Sequence, residues 1–292
     1  MKDISILIPT YNHACVELVH AIQQQASLLP ISYEIIVADD GSTFASTIQG
    51  NRAINEYTNS RYIECPENVG RAAIRNYLVS QASKPWVLFI DSDMVVQHPD
   101  FLRRYVDTPD EQAVWDGGIC VGGDEKLLCN NLRYHYERAA EHLHTAEHRQ
   151  QKPYRDFHTA NFMAPKQLMA EHPFDMRFRR YGYEDVLFGM TLETCHIPIH
   201  HIDNPLSFEV FEENEQFLNK TEEGLRTLYQ FRNELKAGSR LLQEADHLQW
   251  ALPLLRLSHR LFGKMERRIL MHRPILWLFS FYKLEYFSNL YK

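Results

Sequence analysis

An apolar run that stops abruptly on two carboxylates is the strongest constraint on the fold of this 292-residue chain. The segment Trp86-Val87-Leu88-Phe89-Ile90 follows a proline and leads directly into Asp91-Ser92-Asp93. Five apolar residues in a row fit a strand buried on both faces, as at the centre of a parallel sheet. Open α/β sheets bind ligands at the carboxyl ends of their strands, and paired acids there suit a hard divalent cation that also holds phosphates. A turn that only caps the next helix is the alternative.

Two earlier segments end in the same way. Residues 4–8 stop at Pro9-Thr10-Tyr11-Asn12, and residues 33–38 stop at Asp39-Asp40-Gly41-Ser42. With a short strand over 61–65 and helices over 14–29 and from Ala72, this pattern predicts an α/β nucleotide-binding half. The first turn has no glycine and the chain has no GxxxxGK[ST] loop, so carboxylates with a metal are expected to manage phosphate charge.

Composition and charge exclude other classes of protein. Hydrophobic residues make up 45% of the chain, which is enough for an ordinary core, and a net charge of -7 argues against binding to nucleic acid. The five cysteines are odd in number and share no CxxC spacing, which fits a reducing cytosol. No export signal is visible and no apolar stretch reaches the roughly 18 residues of a membrane span. A cytoplasmic protein is therefore expected.

Five motifs between residues 4 and 185 resemble those of the GT-A fold glycosyltransferases, and among them the large inverting family 2. Any one of them is weak evidence, but five in the family's order are specific. The resemblance implies an α/β fold with a mostly parallel, nucleotide-binding sheet flanked by helices. The motifs are Ile6-Leu7-Ile8-Pro9-Thr10-Tyr11-Asn12, Val37-Ala38-Asp39-Asp40-Gly41-Ser42, Asn68-x-Gly70-Arg71-x4-Asn76, Asp91-Ser92-Asp93 and Tyr181-Gly182-Tyr183-Glu184-Asp185.

The resemblance also implies the reaction and its donor site. A sugar would pass from a nucleotide donor, most often a UDP-sugar, to an acceptor hydroxyl with inversion at the anomeric carbon. Mn²⁺ or Mg²⁺ would stabilise the leaving diphosphate, with Asp93 as the direct ligand and Asp91 holding the ribose or the metal's waters. Asp40 would accept from the base, while Asp39 would support the turn. The expected nucleotide-binding residues are Pro9, Thr10, Tyr11, Asp40, Arg71, Asp91 and Ser92.

On the acceptor side, an inverting displacement needs one general base. The resemblance implies Asp185 for this role and Glu184 as a partner of sugar hydroxyls, although the two roles could be exchanged. Gly182 and Tyr183 would form the loop that presents these acids. A neighbouring acid and partial burial would raise the pKa of the base towards the working pH. Asn161, on a strand predicted over 157–163, resembles a sugar-facing asparagine, with a buried structural asparagine as the equal alternative.

The histidines give no clear metal ligand. One helix is predicted over 132–150, where His144 and His148 are four residues apart, but a solvated face explains that spacing better. Arg133, Tyr134 and Arg138 on this helix could face an acceptor. Relatives often supply a metal-binding histidine after an Asn-Pro pair, but Ser207-Phe208 occupies that place here. His200 and His201 are therefore left out of the predicted metal site.

The end of the chain changes character. Residues 245–292 carry eight basic and three acidic residues, a net charge of +5, whereas the other 244 residues carry -12. Basic residues interleaved with aliphatic and aromatic ones predict amphipathic helices suited to an anionic membrane surface. A hairpin packed on the catalytic domain and a dimer interface are the alternatives. We expect a glycosyltransferase domain over 1–230, with a nucleotide half (1–106) and an acceptor half (107–230), and a helical C-terminal extension over 231–292.

The expected setting is the synthesis of a bacterial cell-surface polysaccharide, with a glycan or a lipid-linked glycan as acceptor at the inner face of the membrane. Two other functions stay open. A sugar nucleotidyltransferase would also use an α/β sheet and metal carboxylates, but it normally needs a glycine-rich basic loop at the first strand. A non-catalytic relative that binds a glycan or a nucleotide would not need both acidic motifs, and both are intact here.

Overall fold

The computed structural model describes residues 2–109 and 111–291. Among them a seven-stranded sheet and a three-stranded sheet are flanked by helices. The strands are β1 (Ile4–Thr10), β2 (Tyr33–Asp39), β3 (Ser60–Glu64), β4 (Trp86–Ile90), β5 (Met94–Val95), β6 (Val114–Asp116), β7 (Ile119–Val121), β8 (Asn161–Pro165), β9 (Ile199–His201) and β10 (Leu206–Phe208).

The helices cover both faces of the large sheet and form the end of the chain. They are α1 (Val16–Ser27), α2 (Ala45–Asn51), α3 (Arg71–Gln81), α4 (Phe101–Val106), α5 (Leu132–Ala140), α6 (Ala146–Gln150), α7 (Lys166–Glu171), α8 (Glu184–Thr194), α9 (Asn214–Gln230), α10 (Arg240–His247), α11 (Leu252–His272) and α12 (Leu276–Leu290). Short 3₁₀ turns lie at Arg52–Glu56, Glu141–Leu143 and Gln249–Ala251.

The large sheet has the strand order β3-β2-β1-β4-β8-β6-β9. Its first four strands are parallel, whereas β8 runs antiparallel to both of its neighbours, β4 and β6. This reversal pairs Asn161, the first residue of β8, with Ile90, the last residue of β4. The segment before β8 therefore reaches the same edge of the sheet as Asp91. The small sheet has the order β5-β10-β7 and lies beside this edge.

Alternation along β1 divides the core between the two faces of the sheet, because successive side chains of a strand point to opposite sides. Ile6 and Ile8 pack with α1 and α4, while Leu7 packs with α3, α7 and α8. All five residues of β4 are buried, as predicted for a central strand. The predicted α/β architecture is thus confirmed.

Two local predictions differ from the structure. The sequence pattern missed α2, which lies between the second and third strands. The single helix predicted over 132–150 is wrong, because the chain leaves the α-helix after Ala140 and begins a new one at Ala146. The Thr145 hydroxyl accepts a hydrogen bond from the backbone N–H of His148 and so caps the second helix. His144 and His148 therefore do not share one continuous helix face.

The C-terminal helices α11 and α12 form a hairpin that packs on α9 and α5. Phe217, Leu270 and Phe279 belong to the apolar cluster between them, and Arg267 donates to the Glu222 carboxylate of α9 at 2.9 Å. The inner face of the predicted amphipathic segment is thus packed on the rest of the protein. Within residues 2–109 and 111–291, no helix combines the length and the apolar character needed to cross a bilayer.

Candidate active site

The ends of β1 and β2 form one side of the candidate site. Thr10 pairs with Asp39 in the parallel register, and the Thr10 hydroxyl donates to the carbonyl of His13 at 3.0 Å. Asp39 accepts from the backbone N–H of Ser42 at 2.7 Å and from the Tyr62 hydroxyl. Asp39 therefore supports this turn, as the sequence suggested.

Asp40 organises the neighbouring loop. Its two carboxylate oxygens accept from the backbone N–H groups of Val69 (2.7 Å) and Gly70 (3.0 Å). Burial raises the pKa of Asp40 in spite of these two bonds. Each oxygen keeps a further lone pair, so the predicted contact with a nucleobase stays a prediction. Tyr11 beside it is about half exposed, and Pro9 is partly exposed.

The two aspartates after β4 have different surroundings. Asp91 forms an ion pair with Arg75, with 2.7 Å between its Oδ1 and the guanidinium Nη2. Asp93 has no hydrogen bond or ion pair with any other residue in the described part of the chain. Burial and the adjacent Asp91 raise the pKa of Asp93, against the nearby cations Arg71 and Arg133. Asp93 is thus the carboxylate with open coordination, and Ser92 lies half-buried between the two.

Arg75 joins the two acidic motifs, and sequence reasoning missed it. The side chain is 1% exposed, and its Nη1 lies 3.4 Å from Oε1 of Glu184. Arg71, one turn earlier on α3, lies 4.0 Å from the same oxygen. The i, i+4 spacing of two arginines at the start of α3 was the only signal in the sequence. The buried Arg75 and Glu184 and the half-buried Asp91 form what we call the ion triad.

Glu184 and Asp185 begin α8 but point to different surroundings. Glu184 is buried with the ion triad, and burial together with Asp185 raises its pKa. Asp185 is half-buried and lines a cleft that Arg71, Asp91 and Asp93 also line. Gly182 and Tyr183 before them have φ values of +94° and +71°. A left-handed tyrosine costs about 1–2 kcal/mol, so this turn is held in a strained shape that presents the acids.

Asn161 is not among the residues that line the cleft, and its hydrogen bonds favour the structural alternative over a role in sugar binding. Its amide donates to the carbonyls of Gly118 and Asn204, both at 2.8 Å, and its oxygen accepts from the Tyr105 hydroxyl at 2.7 Å. The residue is 1% exposed. Because the amide group uses both of its hydrogens within the protein, Asn161 is the structural asparagine of the alternative prediction.

The histidines near β9 serve the fold. His201 accepts from Arg149 through Nδ1 at 2.7 Å, and its Nε2 lies 3.0 Å from the Pro153 carbonyl. Arg149 also pairs with the buried Asp116 at 3.0 Å. Both ring nitrogens of His201 are therefore occupied. Within residues 2–109 and 111–291 there is no group of three or more His, Cys, Asp or Glu side chains arranged to hold a metal ion.

Phe208 belongs to the Ser207-Phe208 pair, at which the family resemblance would lead one to expect a histidine. Its ring lines the cleft, and the Arg133 guanidinium lies over it, 4.2 Å from the ring centre. Arg133 also pairs with Glu212. The cleft therefore has two cations, Arg71 and Arg133, facing Asp93.

A larger groove of about 860 Å³ continues from the cleft past Asp185. It lies between the sheet domain and the C-terminal helices. Its walls are rich in aromatic rings, and cations are placed among them. The aromatic residues are Tyr136, Tyr181, Tyr183, Phe217 and Phe279, and the basic residues are Arg133, Arg155, Lys220, Arg240 and Lys283.

Comparison with known proteins identifies the family. The model of glycosyl transferase family 2 matches residues 5–186, which is more than half of the chain and includes all five motifs. The chain belongs to this family. The strand ends, the Asp91-Ser92-Asp93 turn and the acids that begin α8 all lie within the matched residues.

Two curated proteins match about a third of this family 2 chain. A teichoic acid poly(glycerol phosphate) polymerase of Staphylococcus epidermidis is 31% identical over 99 residues, 32% of this chain and 13% of that protein. An uncharacterized glycosyltransferase of Haemophilus influenzae is 37% identical over 96 residues, 32% of this chain and 37% of that protein. The matches thus span only a minor part of either relative.

Solved structures show the same fold. The mannosyltransferase PcManGT of Pyrobaculum calidifontis, in complex with GDP-Man and Mn²⁺, superimposes with a TM-score of 0.55 at 14% identity, covering 100% of this chain and 89% of that one. S. aureus TarS 1–349 in complex with UDP gives 0.54 at 17% identity, covering 99% and 90%. The predicted GT-A type fold with a helical C-terminal region is confirmed.

Proposed function

We propose that this family 2 chain transfers a sugar from a nucleotide-sugar donor to an acceptor hydroxyl with inversion, in the synthesis of a bacterial glycan. The observation that carries the proposal is the cleft in which Asp93, Arg71 and Asp185 meet. A free carboxylate for a divalent cation and a second carboxylate for a general base are the two groups that this reaction needs. The matched family favours sugar transfer over nucleotidyl transfer.

The residues present fit a divalent cation. Mg²⁺ and Mn²⁺ are held by one or two carboxylates together with water and substrate phosphates, and Asp93 is a carboxylate without a protein partner in the described part of the chain. Asp91 keeps one oxygen beside it while Arg75 holds the other. A bound cation would supply Lewis-acid stabilisation of the leaving diphosphate. Arg71 and Arg133 would add positive charge. We expect UDP as the diphosphate because the five motifs resemble those of transferases that most often use UDP-sugars, and solved relatives include both a UDP complex and a GDP-Man complex.

Asp185 is the proposed general base. It is the acid of the pair that reaches the cleft, whereas the ion triad holds Glu184. The base removes the proton of the acceptor hydroxyl as that oxygen attacks the anomeric carbon from the side opposite the leaving group. Glu184 then acts by keeping Arg71 and Arg75 in place. This division of roles refines the sequence prediction, in which the two could be exchanged.

The acceptor is proposed to lie in the groove that continues past Asp185. Aromatic faces there can pack against the apolar faces of sugar rings, and the cations suit an acceptor that carries phosphate or carboxylate groups. A glycan or a lipid-linked glycan of the cell surface fits this groove, and the similarity to a teichoic acid polymerase points the same way. We propose that the enzyme works in the cytoplasm at the inner face of the membrane.

The test compares D93N and D185N with D203N, the same change at an exposed aspartate outside the cleft. UDP binding is measured by calorimetry with and without Mn²⁺, and release of UDP from UDP-sugars is followed separately. D93N should remove the metal-dependent part of UDP binding. D185N should bind UDP as the unchanged protein does but lose at least about 10²-fold in turnover. Normal turnover by D185N would refute the assignment of the base, and UDP binding without turnover in any form would favour the non-catalytic alternative.

A further inference from the structure

The outward side of α11 carries an unusual amount of exposed apolar surface. Five large apolar residues of this helix have between 48% and 64% of their area exposed. Four of them follow each other at intervals of three or four residues, which places them in one stripe along the helix. Together we call them the outer face of α11: Leu254, Leu257, Leu261, Phe262 and Met265.

Tryptophans lie near both ends of this helix. Trp250, just before α11, is 75% exposed, and Trp277, at the start of α12, is 72% exposed. Tryptophan favours the boundary between an apolar phase and water, because its ring is apolar and its N–H group needs a polar partner. Single exposed apolar residues are ordinary, but a continuous stripe marks an interaction site.

Three cations lie beside the outer face of α11. Arg260, Lys264 and Arg268 are exposed and spaced four residues apart, so they follow one edge of the apolar stripe. Within residues 2–109 and 111–291, none of the three makes a hydrogen bond or an ion pair. The single acidic residue of α11 is Glu266, which is 7% exposed and points to the inner side. The exposed charges of α11 beside its apolar outer face are therefore all positive.

We propose that the outer face of α11 binds the surface of an anionic lipid bilayer, with the helix lying in the plane of the interface. In this arrangement the apolar stripe contacts the acyl chains, and the unpaired Lys and Arg side chains contact the anionic headgroups. A second copy of this chain fits less well. A two-fold interface through this face would set the cations of one copy against those of the other, and the face has no acid to offset them.

This contact would bring the active-site groove close to the membrane. The hairpin of α11 and α12 also contributes Phe279, Ser280 and Lys283 to the wall of the groove past Asp185. Binding of the outer face to lipid would therefore hold the groove at the membrane surface, where a lipid-linked acceptor is concentrated. The contact itself does not depend on the proposed reaction, and its test uses no substrate.

The test measures sedimentation of the full chain with vesicles of phosphatidylcholine, alone or mixed equally with phosphatidylglycerol. One variant removes the cations, R260Q/K264Q/R268Q, and its control removes three exposed cations elsewhere, R103Q/K126Q/K152Q. A second variant, L257S/L261S/M265S, is matched by L28S/L127S/M176S, whose residues are more exposed than those they match at two positions and about equally exposed at the third. Because every site is on the surface, thermal unfolding should be unchanged in all four.

We expect binding to the anionic vesicles only, weakened by salt. Each cation contributes about fivefold, so the cation variant should lose on the order of a hundredfold in binding while its control loses little. The apolar variant should lose binding to a similar extent. Equal binding to both vesicle types, or equal losses in variants and controls, would overturn the proposal. So would a dimer, detected by light scattering, that L257S/L261S/M265S dissociates, because the face would then join two copies.

Discussion

Two glutamates are buried against each other between α11 and α12, and they make the stability of the hairpin depend on pH. Glu266 is 7% exposed and Glu285 is fully buried. As carboxylates, three of their four oxygens have no hydrogen-bond donor among the described residues. Burial and the neighbouring Glu285 raise the pKa of Glu266 to about 7. One proton shared between the two groups is therefore favoured in the folded state.

The magnitude follows from this pKa. The folded protein holds the proton up to about pH 7, whereas an unfolded glutamate releases it near its ordinary pKa of 4.5. Between these values the folded state binds more protons, so stability falls as the pH rises and then levels off above about 7. A shift of this size corresponds to roughly 3 kcal/mol. E266Q removes the titration and leaves an amide that can donate to Glu285, so it should be more stable than the unchanged protein by up to roughly 3 kcal/mol at pH 8 and about equally stable at pH 5.

The assay is urea unfolding at the two pH values, with hydrogen exchange of residues 252–290 to locate the effect. His259 lies near Glu285 and Glu222, and burial lowers the pKa of His259, which weakens the fold at low pH. The destabilisation by His259 at low pH is present in both proteins. The quantity to compare is therefore the difference in the free energy of unfolding between E266Q and the unchanged protein. E193Q, a change on an exposed helical site, should show no such difference. If E266Q changed the free energy of unfolding equally at pH 5 and pH 8, the proposal that the two glutamates share a proton would be refuted.

Three further changes test the site. R75M removes the counter-ion of Asp91 and the nearer of the two arginines beside the buried Glu184, so it should cost about 3 kcal/mol in urea unfolding, and a loss under 1 kcal/mol would contradict the ion triad. N161A should lower stability by about 2–4 kcal/mol while UDP binding by calorimetry stays unchanged, since its amide serves only the fold; weaker UDP binding would reopen its role in the site. G70A places a Cβ 2.9 Å from a backbone oxygen at a φ of +91°, so its thermal midpoint should fall by several degrees, and an unchanged midpoint would mean that the loop relaxes freely.

The strand ends of the nucleotide half could be predicted from the sequence because a strand buried on both faces is a continuous run of apolar residues, and the end of the run marks the end of the strand. β1, β2 and β4 are apolar runs that stop at turn or acidic residues, and the structure has each of them within a residue or two of the predicted bounds. The acids of the Asp91-Ser92-Asp93 turn and of the start of α8 meet in one cleft for the same reason, since the topology brings these ends to one edge.

The remaining features depend on contacts between distant parts of the chain, which a local pattern does not contain. Asn161 resembles a binding residue until its partners at Gly118, Asn204 and Tyr105 are known. Arg75 resembles a surface charge on an amphipathic helix, and only the packing of α8 against α3 makes it a buried counter-ion. The break after Ala140 leaves no glycine or proline in the sequence to mark it.

The ion triad also constrains how this protein can change over generations. One guanidinium neutralises carboxylates from two motifs that are more than ninety residues apart. Loss of Arg75 leaves Asp91 without its counter-ion and Glu184 without its nearer one, which costs more than most single substitutions. A descendant chain that replaces Arg75 would therefore need a second change at Asp91 or Glu184, or another cation beside them. Arg75 therefore couples the donor half to the acceptor half, and recombination between homologues at their junction is favoured where the donor half carries Arg75 and the acceptor half carries Glu184.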